Sequence, residues 1–153
     1  MKLTYYVKLS EQTYAPIYTY SEGSIDPNEI YARQLCEYLV INGIQYQLLS
    51  NEMKDEEEIL IVEKLCQTTT LPDEYVYDQE GIHIEFREYQ SPTNMPLLYT
   101  LNLDPFGRAH WEAIRYLLKD YVDIPTIGLR KRDSAEIDED RRCYVLYVTS
   151  YDT

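Results

Sequence analysis

The feature that most constrains the fold is a short internal repeat. Ile17-Tyr18-Thr19-Tyr20 followed by Ile25-Asp26-Pro27 has a counterpart in Leu98-Tyr99-Thr100-Leu101 followed by Leu103-Asp104-Pro105. The two Asp-Pro pairs stand 78 residues apart, and at that offset Tyr38-Leu39 falls on Tyr116-Leu117. A fixed period points to two similar supersecondary units. The repeat predicts two halves, 1–66 and 81–153, each of β-β-α-β-β order, with 67–80 as their connection.

Asp26 and Asp104 can accept hydrogen bonds from free first-turn amides, and proline suits the first helical position. The spacing of Tyr31, Leu35, Tyr38 and Leu39 predicts a first helix over 27–42, stopped by Gly43. Phe106, His110, Ala113, Ile114, Leu117 and Tyr121 predict a second over 105–121. Period-two alternation marks strands at Leu3 to Leu9, Ile82 to Phe86 and Tyr144 to Val148. Further extended runs at 44–49, 59–65, 124–129 and 143–148 follow the helices, joined by charged connections at 51–58 and 130–142. With strands outnumbering helices and no regular βαβ alternation, the expected class is α+β. Its sheet should be mainly antiparallel, with both helices on one face.

The chain has 153 residues, enough to bury a core without covalent staples. Cys36, Cys66 and Cys143 are odd in number and contain no CxxC pair, which suggests neither a disulfide framework nor a zinc site. The start of the chain alternates with charge where a leader would carry an apolar run, and nothing nears the roughly 18 apolar residues of a membrane span. A cytoplasmic location is the expectation.

The formal net charge is -13. This disfavours direct contact with nucleic acid or an anionic membrane and favours a partner with a basic surface. Residues 1–78 carry 14 acids against 5 bases, a formal -9, and residues 79–153 carry 13 against 9, a formal -4. Tyrosines number 17, beside 2 phenylalanines and 1 tryptophan. Tyr suits strands, interfaces and ligand pockets alike, because its ring packs while its hydroxyl stays bonded.

Motifs for chemistry are sparse. Walker, GxGxxG, GxSxG, HExxH and EF-hand patterns are missing, and 5 glycines leave little for a phosphate cradle. No cofactor and no metal are expected. His83 and Glu85 share a strand face and could do acid–base work, although an ordinary surface pair is the simpler reading. His110, beside Trp111, fits a half-buried helix position. The acid run Asp55, Glu56, Glu57 and Glu58 reads as a solvated hairpin tip, because calcium loops need alternate ligands and a central glycine. Arg130, Lys131, Arg132, Arg141 and Arg142 form a basic patch next to acids that can pair with it.

The order of elements resembles the GyrI-like effector-binding domains, in which two related halves build one curved sheet with a ligand site between them. Members that bind cationic drugs use a buried glutamate amid aromatics, commonly on the strand after the second helix. Here the run 124–129 at that place has no acid. Two functions follow as expectations. The first is a non-catalytic protein-interaction module of immunity, inhibitor or adaptor type, meeting a basic partner. The alternative is a small-molecule-binding domain with a tyrosine-lined pocket between the halves. Candidate contact residues are Asp55, Glu56, Glu57, Glu58, Tyr18, Tyr20, Tyr99, His110 and Trp111.

Overall fold

In the computed structural model, which describes residues 1–78, 81–103 and 109–151, the chain is a mixed α+β fold. The described residues form ten strands in one sheet and two helices. In chain order these are β1 (Lys2–Ser10), β2 (Thr13–Tyr20), α1 (Pro27–Gln34), β3 (Tyr38–Ile41), β4 (Ile44–Lys54), β5 (Glu57–Gln67), β6 (Ile82–Glu88), β7 (Leu97–Leu103), α2 (Ala109–Leu117), β8 (Tyr121–Ile124), β9 (Gly128–Asp138) and β10 (Cys143–Ser150).

The sheet runs β2-β1-β5-β4-β3-β9-β10-β6-β7, with β8 also on β9. Most pairings are antiparallel; β1 with β5, β6 with β10 and β3 with β9 are parallel. The β3–β9 ladder is short, matching Tyr38, Leu39 and Val40 with Glu136, Ile137 and Asp138. It is where strands from 1–66 meet strands from 81–153.

Helix α1 starts as its sequence dictates. Asp26 is extended at φ -71, ψ 138, and its Oδ1 accepts the Asn28 N–H at 2.7 Å, with Pro27 next in line. The corresponding cap at Asp104-Pro105 lies outside the described residues. Both helices end earlier than expected. Asn42 and Gly43 both have positive φ, 53 and 74. That is the type I′ geometry of a two-residue hairpin rather than a helix stop. Ile41 therefore pairs with Ile44, and Tyr38-Leu39 belong to a strand. Tyr121, the expected end of α2, likewise opens strand β8. Each helix is thus followed by three strands, not two, and the Tyr38-Leu39 and Tyr116-Leu117 correspondence fails because one pair is extended and the other helical.

Three further expectations need correction. The charged stretch 130–142 is no loop, since β9 runs through it to Asp138, and the run 124–129 is broken by a turn at 125–127. In the acid run only Asp55 and Glu56 form the tip, whereas Glu57 and Glu58 begin β5 beside Lys2 and Leu3 of β1.

The main core lies against the helices. It joins Ile30 and Ala32 of α1 and Ala113 and Leu117 of α2 to Leu3, Leu60, Ile84, Phe86, Ile137, Tyr144 and Leu146 of the sheet. A smaller cluster of Tyr77, Cys143, Val145 and Tyr147 contains the alternate residues of β10, which period two turns to the opposite face.

Candidate functional site

Alternation along three central strands builds this second face. Ala135 and Ile137 of β9 enter the main core, so Ser134, Glu136 and Asp138 point the other way. On β6 the same rule sends Glu85 and Arg87 away from Ile84 and Phe86. The result is a layer of buried ionisable groups partly covered by residues 68–78, which hold no regular structure.

Glu85 has no exposed surface. Its carboxylate accepts from Arg141 at 2.8 and 3.0 Å, from Arg87 Nε at 2.7 Å and from the Tyr77 hydroxyl at 2.6 Å. Arg87 also donates to Asp73 at 2.7 Å, and Arg141 Nε to Asp138 at 3.0 Å. Burial alone would raise the Glu85 pKa, but the bonds from Arg141, Arg87 and Tyr77 outweigh it and hold the carboxyl below its ordinary range. Of the basic patch seen in the sequence, Arg141 is thus taken up by internal ion pairing. Arg132 makes a second such pair, with Glu37 at 2.7 and 3.0 Å.

Glu136 shares that face and is only 4 % exposed, yet no arginine or lysine pairs with it among the described residues. It accepts from Gln45 Nε2 at 2.9 Å and from the Tyr147 hydroxyl at 2.9 Å. Burial pushes its pKa up to about 7; these two hydrogen bonds oppose the shift, Asp138 adds to it and the more distant Arg141 opposes it. A carboxylate kept from water without a counter-ion attracts a cation strongly, because little solvent screening has to be overcome.

Two adjoining hollows lie on this face, and the first opens over Glu136. One, of about 460 Å³, is lined by Glu136 and Asp138 with Thr68, Glu74, Tyr75 and Tyr147. The other, of about 430 Å³, is lined by Tyr38, Leu65, Tyr89 and Asp133. Gln45, Pro92, Met95 and Tyr147 border both. The groove lies over the β3–β9 junction, and exposed Cys66 of β5 forms part of its wall. The lining is mixed, with Leu65, Pro92, Met95 and the tyrosines beside threonines, several carboxylates and Arg141, and the volume is in the range of small-molecule sites.

The residues singled out in the sequence are dispersed. Asp55, Glu56, Glu57 and Glu58 do come together, around an open concavity of about 950 Å³ that also holds Glu22, Tyr6, Met53, Lys2 and Lys54. Tyr20 and His110 belong to one chain of contacts between the helices. The Tyr20 hydroxyl and Arg33 both donate to Glu139, Arg33 donates to Glu29 at 2.8 Å, and Glu29 reaches His110 Nε2 at 3.3 Å. The Tyr144 hydroxyl lies 3.3 Å from His110 Nδ1. Burial lowers the His110 pKa against the pull of Glu29, so the ring is neutral at pH 7. Tyr18 lies tilted against Tyr20 with its side chain half exposed, Tyr99 of β7 packs on Phe86 of β6, and Trp111 is about half exposed. His83 is not a surface pair with Glu85; it is buried, stacked on Tyr77 and 2.6 Å from the Asn102 carboxamide. Sequence reasoning missed Glu136, which sits inside the run it read as a loop. The available signal was the Ala135 and Ile137 alternation around it.

No group of three or more metal-ligating side chains suited to an ion occurs among the described residues, and no described helix is long and apolar enough to cross a membrane. The chain matches no family model, no curated protein and no solved structure.

Proposed function

We propose that the protein is a non-catalytic binding domain that takes an apolar organic cation in the groove over Glu136. The observation that carries this is a buried glutamate without an ionic partner among the described residues, flanked by Tyr147 and opposite Tyr38 across the β3–β9 ladder. Aromatic faces and a desolvated carboxylate both favour cations. In this reading residues 1–66 and 81–153 are duplicated halves. Supporting it, β1 pairs with β2 and β5 as β6 pairs with β7 and β10, and β4 joins β3 and β5 as β9 joins β8 and β10. The helices touch each other, as they would on one face of the sheet, which leaves the other face to the ligand.

Two ions of the same shape and opposite charge test this. Tetraphenylphosphonium should bind in calorimetry at pH 8, and tetraphenylborate should not. Glu136→Gln should weaken the phosphonium by about tenfold or more, the scale of one desolvated charge contact. Below pH 7 the parent should lose affinity as Glu136 takes up a proton. Equal binding of both ions, or an unaffected Glu136→Gln, would refute the cation reading.

A second reading rests on a different observation, the five carboxylates around the Asp55–Glu58 concavity. Such a surface would steer a basic protein by rate, since exposed charge acts mainly on association and is screened by salt. With a decalysine peptide as probe, replacing Glu56, Glu57 and Glu58 by glutamine should slow association several-fold at low salt and flatten its salt dependence. Stability should stay within about 0.5 kcal/mol, as for surface changes generally. Unchanged association would remove this reading.

A further inference from the structure

The ends of the sheet differ in how they are protected. Strand β2 closes one end and carries Pro16, which has no N–H to offer, together with two register irregularities against β1. Strand β8, with one side on β9, is four residues long and includes Asp123. Strand β7 closes the other end, pairs only with β6 among the described strands, and reads Leu-Leu-Tyr-Thr-Leu-Asn-Leu. It has no charge, proline or glycine, and its one irregularity lies at its start, opposite Phe86 and Arg87. From Tyr99 to Leu103 the ladder is regular. A regular, uncharged edge is the kind that accepts another strand.

The regular stretch is complementary to itself. In antiparallel pairing about a two-fold axis at Leu101, Tyr99 stands opposite Leu103, Leu101 opposite its own copy, and Thr100 opposite Asn102. Tyr99, Leu101 and Leu103 belong to the main core and would meet apolar partners, while the polar pair would meet polar partners. Charge distribution permits the approach. A second copy would meet this chain at the half with a formal -4 and away from the half with -9. Of the charges of β6, Glu85 and Arg87 already neutralise each other and Glu88 lies at the far end of the strand, away from the regular stretch.

We infer that β7 is a homodimerisation edge, joining two copies antiparallel through Tyr99 to Leu103 into one continuous sheet. Sedimentation velocity over a concentration series tests it on the full chain. The parent should show a concentration-dependent dimer. Thr100→Lys and Asn102→Lys would place a cation against the partner copy at each symmetric contact, and each should weaken the dimer by about tenfold or more. Tyr14→Lys, on the opposite edge, should leave it unchanged. Circular dichroism and melting curves identify a variant that has lost its fold, and amide exchange of the parent gives an independent reading, with 99–103 better protected at high than at low concentration. A parent that stays monomeric throughout, exchange that ignores concentration, or dimers that persist in both lysine variants would overturn the inference. A monomer that instead captures a strand of another protein at β7 would also overturn it.

Discussion

Glu85→Ala is expected to destabilise the protein by about 3–5 kcal/mol, the range for breaking a buried ion pair by removing one partner. The change leaves Arg87 and Arg141 in the interior with two positive charges and loses four donated hydrogen bonds. Domains of this size have roughly 5–15 kcal/mol in hand, so the variant should melt far earlier or fail to accumulate. The pH dependence has a definite sign. Because the folded-state pKa is held below the ordinary carboxylate value, the stabilisation is present above that ordinary value and is lost as pH falls through the lowered one. Urea midpoints for parent and variant at pH 7 measure the effect, and equal midpoints would contradict the role given to Glu85.

Glu136→Gln should do the opposite. The folded-state pKa of about 7 lies above the ordinary glutamate value of 4.5, so at pH 8 the protein carries the cost of an ionised, desolvated group. At 1.36 kcal/mol per unit that cost is roughly 3 kcal/mol. The parent should gain stability as pH falls from about 7 towards 4.5, and the variant should lack that slope. Gln preserves the shape, and its amide can donate to the Tyr147 hydroxyl while its oxygen still accepts from Gln45. A Glu136→Gln protein less stable than the parent at pH 8 would mean that the carboxylate is paired. Two glutamates on one sheet face thus answer pH in opposite directions, because one faces two guanidiniums and the other faces an amide and a phenol.

The mixed class, the mainly antiparallel sheet and the start of α1 were legible in the sequence, because alternation and the Asp26-Pro27 cap are local signals. The helix ends were not. Leu35, Tyr38 and Leu39 satisfy helical spacing, yet Val40-Ile41 before Asn42-Gly43 is also a strand entering a hairpin, and tertiary pairing with Glu136 to Asp138 decides between them. Strand β9 was missed for a related reason. Its polar row bonds to Gln45, Arg141 and Tyr147, so charge there reports internal contacts rather than solvent. The site depended on the same long-range information. That Glu136 lacks a cation among the described residues while Glu85 has two is a property of assembled strands, which no local window contains.

The distribution of thiols makes the groove accessible to direct labelling. Cys36 and Cys143 are enclosed, and burial raises both thiols well above their ordinary pKa, so neither presents thiolate to a reagent at neutral pH. Cys66 is exposed, with its sulfur 3.8 Å from the Gln45 carboxamide oxygen whose nitrogen holds Glu136. A maleimide fluorophore added to the unmodified chain would settle at one wall of the groove, two side chains from the carboxylate. Its emission would then follow occupancy without any cysteine being engineered in or out.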